Sequence, residues 1–231
     1  MDEPINSRNI IYIVATPIGN LEDITLRALN ILRNVDFIIC EDTRVTKILL
    51  DHYNIHKKLI VANAFNEANQ INKIITEIKS GKSCALVSDA GTPLISDPGT
   101  KLINEAIKNN ISIIPVPGPS ALIAALSISG FPSSSFVFEG FLPQKKGRQK
   151  KLMELAEEER TIVLYESTYR IVKLLEEIKQ YMPLRKIAVA RELTKKFEEV
   201  WRGTADEILD SIKTKTVKGE FVVVLAPKDF K

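Results

Sequence analysis

A chain of 231 residues that is 45% apolar and 26% charged can build a full core, and its length suits two domains of about 110 residues each. Its 32 Lys and Arg against 29 Asp and Glu leave a net charge of only +3, which excludes a protein that coats nucleic acid by bulk charge. No apolar run approaches the roughly 18 residues of a spanning helix, and Met1-Asp2-Glu3-Pro4 is acidic where a secretory signal is basic, so the expectation is a cytoplasmic protein without a membrane partner.

The β-branched run Ile10–Ala15 reads as a buried strand closed by the turn Thr16-Pro17-Ile18-Gly19-Asn20. A helix over Thr25–Leu32 and a strand over Phe37–Cys40 follow, then a helix over Val45–Tyr53 and a short strand over Leu59–Ala62. Asn66–Ser80 is the clearest helix, with Ile71, Ile74, Ile75 and Ile78 at i, i+3, i+4, i+7 and Gly81 as its stop. A strand over Ser83–Val87 feeds a turn-rich loop, Ser88–Gly99. Helix Lys101–Lys108, strand Ile111–Val116, the turn Pro117-Gly118-Pro119 and helix Ser120–Ile128 complete an alternating pattern, which implies βαβ units and a mainly parallel sheet. Gly130–Ser135 reads as a boundary, dividing the chain into residues 1–130 and 131–231.

The second half has another rhythm. A strand over Phe136–Phe141 leads to a basic loop, Leu142–Lys151, then helix Leu152–Glu159, strand Thr161–Tyr165 and helix Arg170–Gln180. The runs Lys186–Arg191 and Phe197–Trp201 lie too close for a helix between them and read as an antiparallel pair. Helix Ala205–Ile212 and strand Phe221–Leu225 close a mixed sheet. Cys40 and Cys84 sit in apolar strands as buried, reduced thiols, and with His52 and His56 as the only histidines no metal site is expected. Trp201 and Phe197 read as packing residues, with stacking on a base as the alternative.

In a parallel sheet, loops at the carboxyl ends of strands form the ligand crevice. Three such loops, Thr16–Asn20, Ser88–Gly99 and Pro117–Ser120, are rich in Gly and Pro. Composition leaves two readings open, routine punctuation or a pocket lined by main chain. Glu41 and Asp42 stand where a dinucleotide fold keeps its ribose-binding acid, but Thr16–Asn20 has one glycine rather than the spaced triplet that cradles a pyrophosphate. A nicotinamide-dependent oxidoreductase is therefore disfavoured. In the second half, Lys145, Lys146, Arg148, Lys150 and Lys151 put five charges in seven residues. They read either as a solvated linker or as contacts to a phosphate backbone.

The blocks Thr16–Asp23 and Thr25–Leu29 resemble the opening of the tetrapyrrole methylase superfamily. Cys40-Glu41-Asp42-Thr43-Arg44, Ser88–Pro93, Ile95–Gly99, Pro117–Ala121, Tyr165-Glu166-Ser167 and Ala190–Lys195, in this order, resemble its bacterial 16S ribosomal RNA cytidine-2′-O-methyltransferases. Thr168-Tyr169 departs from the Pro-His of that pattern. The resemblance implies two α/β domains with S-adenosylmethionine in the cleft between them, a homodimer, and a cytidine 2′-hydroxyl of 16S ribosomal RNA in the small subunit as methyl acceptor. It assigns the methyl donor to Pro17, Asp89, Ala90, Gly91, Ile95, Ser120 and Ala121, with Tyr165 and Ala190 from the second domain. Displacement at a sulfonium methyl is mostly positioning and needs no metal; a general base assists loss of the hydroxyl proton. Glu41, Asp42, Asp89 and Glu192 are the candidates. Asp42 ranks first, with Arg44 beside it for a phosphate or for the carboxylate itself, and the plain alternative is that this pair only bridges a loop. In this setting the five basic residues from Lys145 to Lys151 become expected RNA contacts. A tetrapyrrole C-methyltransferase and a non-catalytic RNA-binding module remain as alternatives.

Overall fold

The computed structural model describes residues 8–62, 67–215 and 217–230, without the side chains of residues 67–69. The acidic start Met1–Pro4 and the expected helix start at Asn66 lie outside the described residues. Two compact units emerge, Met1–Ser120 and Ala121–Lys231. Sequence places the helix near residues 120–128 in the first half; in the structure it packs against the second sheet and belongs to the second unit.

The first unit runs β1 (Ile10–Val14), α1 (Leu26–Asn34), β2 (Phe37–Cys40), α2 (Thr43–His52), β3 (Lys58–Val61), α3 (Glu67–Lys79), β4 (Ser83–Leu86), α4 (Thr100–Lys108) and β5 (Ser112–Val116). All pairings are parallel, in the order β3-β2-β4-β1-β5. The strands read as nearly continuous apolar runs because both faces are covered. Ile10, Tyr12, Val14, Ile38, Cys40 and Ala85 join α1 and α2 in one core. The alternate residues Ile11, Phe37, Ile39, Cys84 and Leu86 join α3 and α4 in the other. The chain steps outward from β1 to β3 and then returns to β4, and right-handed crossovers require its helices to change face at that reversal.

The second unit runs α5 (Ala121–Ser129), β6 (Phe136–Phe141), α6 (Arg148–Ala156), β7 (Thr161–Ser167), α7 (Ile171–Tyr181), β8 (Ile187–Arg191), β9 (Glu199–Gly203), α8 (Ala205–Ile212) and β10 (Glu220–Leu225). Its sheet, β6-β7-β10-β8-β9, is parallel only at β6–β7, so it is mixed as expected, and β8–β9 is the expected antiparallel pair. One face carries α6, α7 and α8 over Ile162, Leu164, Val189, Trp201, Phe221 and Val223. Helix α5 packs against β7, β8 and β10. The helix read as starting at Leu152 starts at Arg148 instead, because Arg148, Leu152 and Leu155 form one buried stripe at i, i+4, i+7.

Leu174 on α7 is wholly buried in this second core, whereas Leu184 is 86% exposed. Leu174→Ala is expected to cost about 2–5 kcal/mol and Leu184→Ala no more than about 0.5 kcal/mol. Denaturant midpoints of the two variants check the assignment.

Candidate active site

Strands β1 and β4 are neighbours whose outgoing helices, α1 and α4, lie on opposite faces of the sheet. Such a reversal opens a crevice at the carboxyl edge. The loops bordering it are cross-linked. Thr16 and Gly91 form an isolated antiparallel bridge, with Thr16 N–H donating to Gly91 O at 2.9 Å and Gly91 N–H to Thr16 O at 3.0 Å. The Thr16 hydroxyl donates to Ser88 O at 3.1 Å, the Ser88 hydroxyl to Gly91 O at 3.2 Å, and the Thr92 hydroxyl to Pro119 O at 3.1 Å. A Cβ on Gly118 would lie 3.0 Å from the Ala15 Cβ, so only glycine lets the β5 loop run this close to the β1 loop. Thr16, Ser88 and Gly91 are buried, while Asp89 and Ala90 project into solvent between them. Thr16, Pro17, Val45, Thr46, Ser88 and Asp89 line part of a cleft of about 110 Å³ here.

Four carboxylates gather at this edge, from Glu41, Asp42, Asp89 and Asp97, and their environments differ. Glu41 follows β2 directly; burial, with Asp97 and Asp89 nearby, pushes its carboxyl up to about 7. Burial also raises Asp97 to about 6, against a hydrogen bond from Ser88. Asp42 caps α2. Its carboxylate accepts from Arg44 N–H at 2.8 Å and from the Arg44 guanidinium at 2.5–3.1 Å, and these bonds hold it at about 2. The Asp42 N–H donates to Asp89 Oδ1 at 3.3 Å. Asp42 and Arg44 thus form a local loop bridge. That leaves Asp42 a poorer proton acceptor near neutrality than Glu41. Asp97 is the acid that sequence missed; nothing in Ser96-Asp97-Pro98 announces that it approaches Glu41.

In the second unit, the Tyr165 ring meets Phe138 and Phe141 edge-on, at 5.0 and 5.7 Å between centroids. Its hydroxyl accepts the Leu122 N–H at 3.2 Å, in the first turn of α5. Ala190 is buried on β8. Glu192 does not stand free. Burial would raise its carboxyl, but the Glu220 N–H at 2.9 Å and the Lys195 ammonium at 3.0 Å together hold it below the usual range. These bonds make Glu192 an anchor of this loop.

The basic segment divides. Arg148 is 5% exposed. Its guanidinium binds Glu177 at 2.6–3.0 Å and Pro143 O at 3.1 Å, and lies 3.8 Å from Glu166. It is therefore unavailable to RNA, a correction to the charge count, which sees five equal cations. Lys151 pairs with Glu139 at 3.0 Å. Lys145, Lys146 and Lys150 remain exposed.

Of the expected donor-binding residues, Pro17, Asp89, Ala90, Gly91, Ile95 and Ser120 fall in the loops at the carboxyl edge of the first sheet, and Ala121, Tyr165 and Ala190 fall in the second unit.

Residues 10–209 match the family model of the tetrapyrrole (corrin/porphyrin) methylases. A ribosomal RNA small subunit methyltransferase I of Thermotoga maritima is 47% identical over 219 residues, which span 95% of this chain and 99% of that one. Among solved structures, a cobalt precorrin-4 methyltransferase of cobalamin biosynthesis aligns with a TM-score of 0.72 at 16% identity over 97% of each chain. A uroporphyrin-III C-methyltransferase of Thermus thermophilus, complexed with S-adenosylhomocysteine, aligns with a TM-score of 0.64 at 15% identity over 93% of this chain and 96% of that one.

Two outcomes follow from this geometry. Arg148→Ala removes the ion partner of Glu177, while Glu166 keeps Arg170 at 2.8 Å, and should cost about 3 kcal/mol, against about 0.5 kcal/mol or less for Lys145→Ala, read by urea unfolding. Glu41 binds its proton more tightly folded than unfolded, so its contribution to stability falls as pH rises from about 4.5 through about 7. Melting temperatures across that window should decline less in Glu41→Gln than in the parent; parallel curves would show that the environment of Glu41 does not act this way.

Proposed function

This chain belongs to the tetrapyrrole (corrin/porphyrin) methylase family, and from that premise we propose that it methylates the 2′-hydroxyl of a cytidine in the small-subunit ribosomal RNA, using S-adenosylmethionine. The observation that carries the choice of acceptor is the contrast in identity. It is 47% over nearly the full length to a ribosomal RNA methyltransferase but 15–16% to the tetrapyrrole enzymes that share the fold. The proposal includes a cytoplasmic homodimer acting on 16S RNA within the small subunit.

The loops at the carboxyl edge fit a donor carrying an adenosine and an amino acid. The Asp89-Ala90 tip is exposed, and Gly118 lets the neighbouring turn lie close to Ala15. Pro17, Asp89, Ala90, Gly91, Ile95 and Ser120 of the first unit would hold it, as would Ala121, Tyr165 and Ala190 of the second. S-adenosylmethionine supplies an electrophilic methyl when bound. Glu41 would take the proton of the attacking hydroxyl as oxygen bonds to the methyl carbon, while the electron pair of the broken carbon–sulfur bond stays on sulfur. A carboxylate raised to about 7 is matched to that task near neutral pH, and one held at about 2 is not. Lys145, Lys146 and Lys150 would meet phosphates, with the exposed guanidinium of Arg44 as a further contact at the other unit.

The test is incubation with labelled S-adenosylmethionine and small ribosomal subunits from cells lacking the modification, followed by nuclease mapping. Label on a cytidine ribose is expected. Donor binding without RNA labelling would sink the proposal and return the tetrapyrrole reading. Glu41→Gln should lower kcat by about 10²–10⁴, and Asp42→Asn by much less. Replacing Lys145, Lys146 and Lys150 by Gln should reduce the salt slope of RNA binding by about 2.

A further inference from the structure

The turn between β8 and β9 carries more backbone constraint than a link of this length needs. Glu192 and Thr194 have φ of 50° and 66°, left-handed values that cost a β-branched threonine most. The conformation is held from several sides. Arg191 Nε donates to Lys218 O at 2.7 Å, and Glu192 N–H to Glu220 O at 3.0 Å. Glu220 N–H returns a bond to Glu192 Oε1 at 2.9 Å, and Thr194 N–H donates to Glu198 Oε2 at 2.5 Å. The Thr168 hydroxyl, at the position that departs from the family pattern, bonds Gly219 O at 2.6 Å.

This frame presents Phe197. Sequence groups Phe197 with Trp201 as packing, and Trp201 does pack, at 6% exposed, but Phe197 is 64% exposed. Lys196 Nζ lies 5.6 Å from the Phe197 ring centroid. Beside the ring runs a groove of about 570 Å³ lined by Arg191, Glu192, Phe197, Glu199, Lys215, Lys218 and Gly219. Its acids are already answered. Glu192 pairs with Lys195, and Glu199 with Lys215 and, at 3.5 Å, with Arg191. Lys196 and Lys218 are exposed and make no ion pair among the described residues. The groove therefore combines an exposed aromatic ring with Lys196 over one face, room for a planar ring and two lysines outside any ion pair among the described residues.

A single exposed aromatic is ordinary. An aromatic held out by a hydrogen-bonded turn, beside a groove and two exposed lysines outside any ion pair, has the makeup of a single-strand nucleic-acid platform, where bases stack and cations follow the backbone. We propose that Phe197 stacks an unpaired base of the RNA substrate in this groove, with Lys196 and Lys218 on the flanking phosphates. This rests on the RNA reading above and adds a base-binding site separate from the Lys145–Lys150 segment.

The probe is a short single-stranded RNA bearing 2-aminopurine, titrated by anisotropy and by fluorescence quenching, with an abasic twin as control. Phe197→Leu keeps apolar bulk but loses the π-face and should weaken RNA binding about tenfold. Phe197→Trp should restore it, and quenching should be present in the parent and absent in Phe197→Leu. Affinity for S-adenosylmethionine and the melting temperature should stay at parent values, since the side chain is exposed. Equal RNA affinity for the parent and Phe197→Leu, or equal affinity of the parent for intact and abasic RNA, overturns the platform while leaving RNA methylation intact. A parent that binds S-adenosylmethionine but no RNA overturns both.

Discussion

The carboxyl edge of the first sheet depends on the two-bond bridge between Thr16 and Gly91. At a switch point the chains leaving two adjacent strands diverge, one to each face, and would leave an open gap with unpaired main-chain groups. The bridge joins those chains before they part, and the Thr16 and Ser88 hydroxyls take up the neighbouring carbonyls. Because Thr16, Ser88 and Gly91 are buried, the bonds are shielded from water and hold the tip Asp89-Ala90 at a fixed height. A main-chain ligand site needs this kind of fixed backbone, since it has no side-chain rotamers with which to adapt.

The same frame separates the chemistry of two adjacent acids. Glu41 directly follows β2 and is half-buried, with Asp97 and Asp89 as like-charged neighbours. Asp42, one residue on, begins a helix, where a carboxylate is stabilised by the N–H groups it caps, and it gains the Arg44 guanidinium as well. One peptide bond thus divides a carboxyl raised to about 7 from one held at about 2. Such divergence between neighbouring carboxylates is what the proposed proton transfer by Glu41 would use.

That division was not legible in Cys40-Glu41-Asp42-Thr43-Arg44, because it depends first on the burial of Glu41 and then on Asp97 arriving from a loop more than fifty residues away. What could be read was whatever periodicity carries. The alternating strands of the first sheet, the i, i+3, i+4 stripes of α3 and α7 and the antiparallel β8–β9 pair all follow from local pattern. The start of α6 was missed because a charged residue occupies its stripe: Arg148 sits where a leucine would have marked the helix four residues earlier. Helix α5 is apolar on nearly all sides, so periodicity could not say which sheet it would join. Phe197 and Trp201 look alike by residue type, and only the pinned turn sends one outward.

Cations show the same limit and also a rule. Among the described residues the buried ones are Arg148 and Arg185. Each spreads a planar fork over several acceptors: Arg148 over Glu177 and Pro143 O, and Arg185 over the carbonyls of Ala226, Leu155 and Glu158 at 2.7–2.8 Å. An ammonium could not satisfy acceptors arranged in a plane in this way. In the Lys145–Lys150 segment and the Phe197 groove, the cations left in solvent, Lys145, Lys146, Lys150, Lys196 and Lys218, are lysines, compact charges on flexible stems that can follow a phosphate backbone without a fixed geometry. A net charge of +3 therefore understates what RNA would meet, because part of the positive charge is committed to the core and much of the negative charge is already paired. Local availability, rather than the total, decides whether such a surface can hold a nucleic acid.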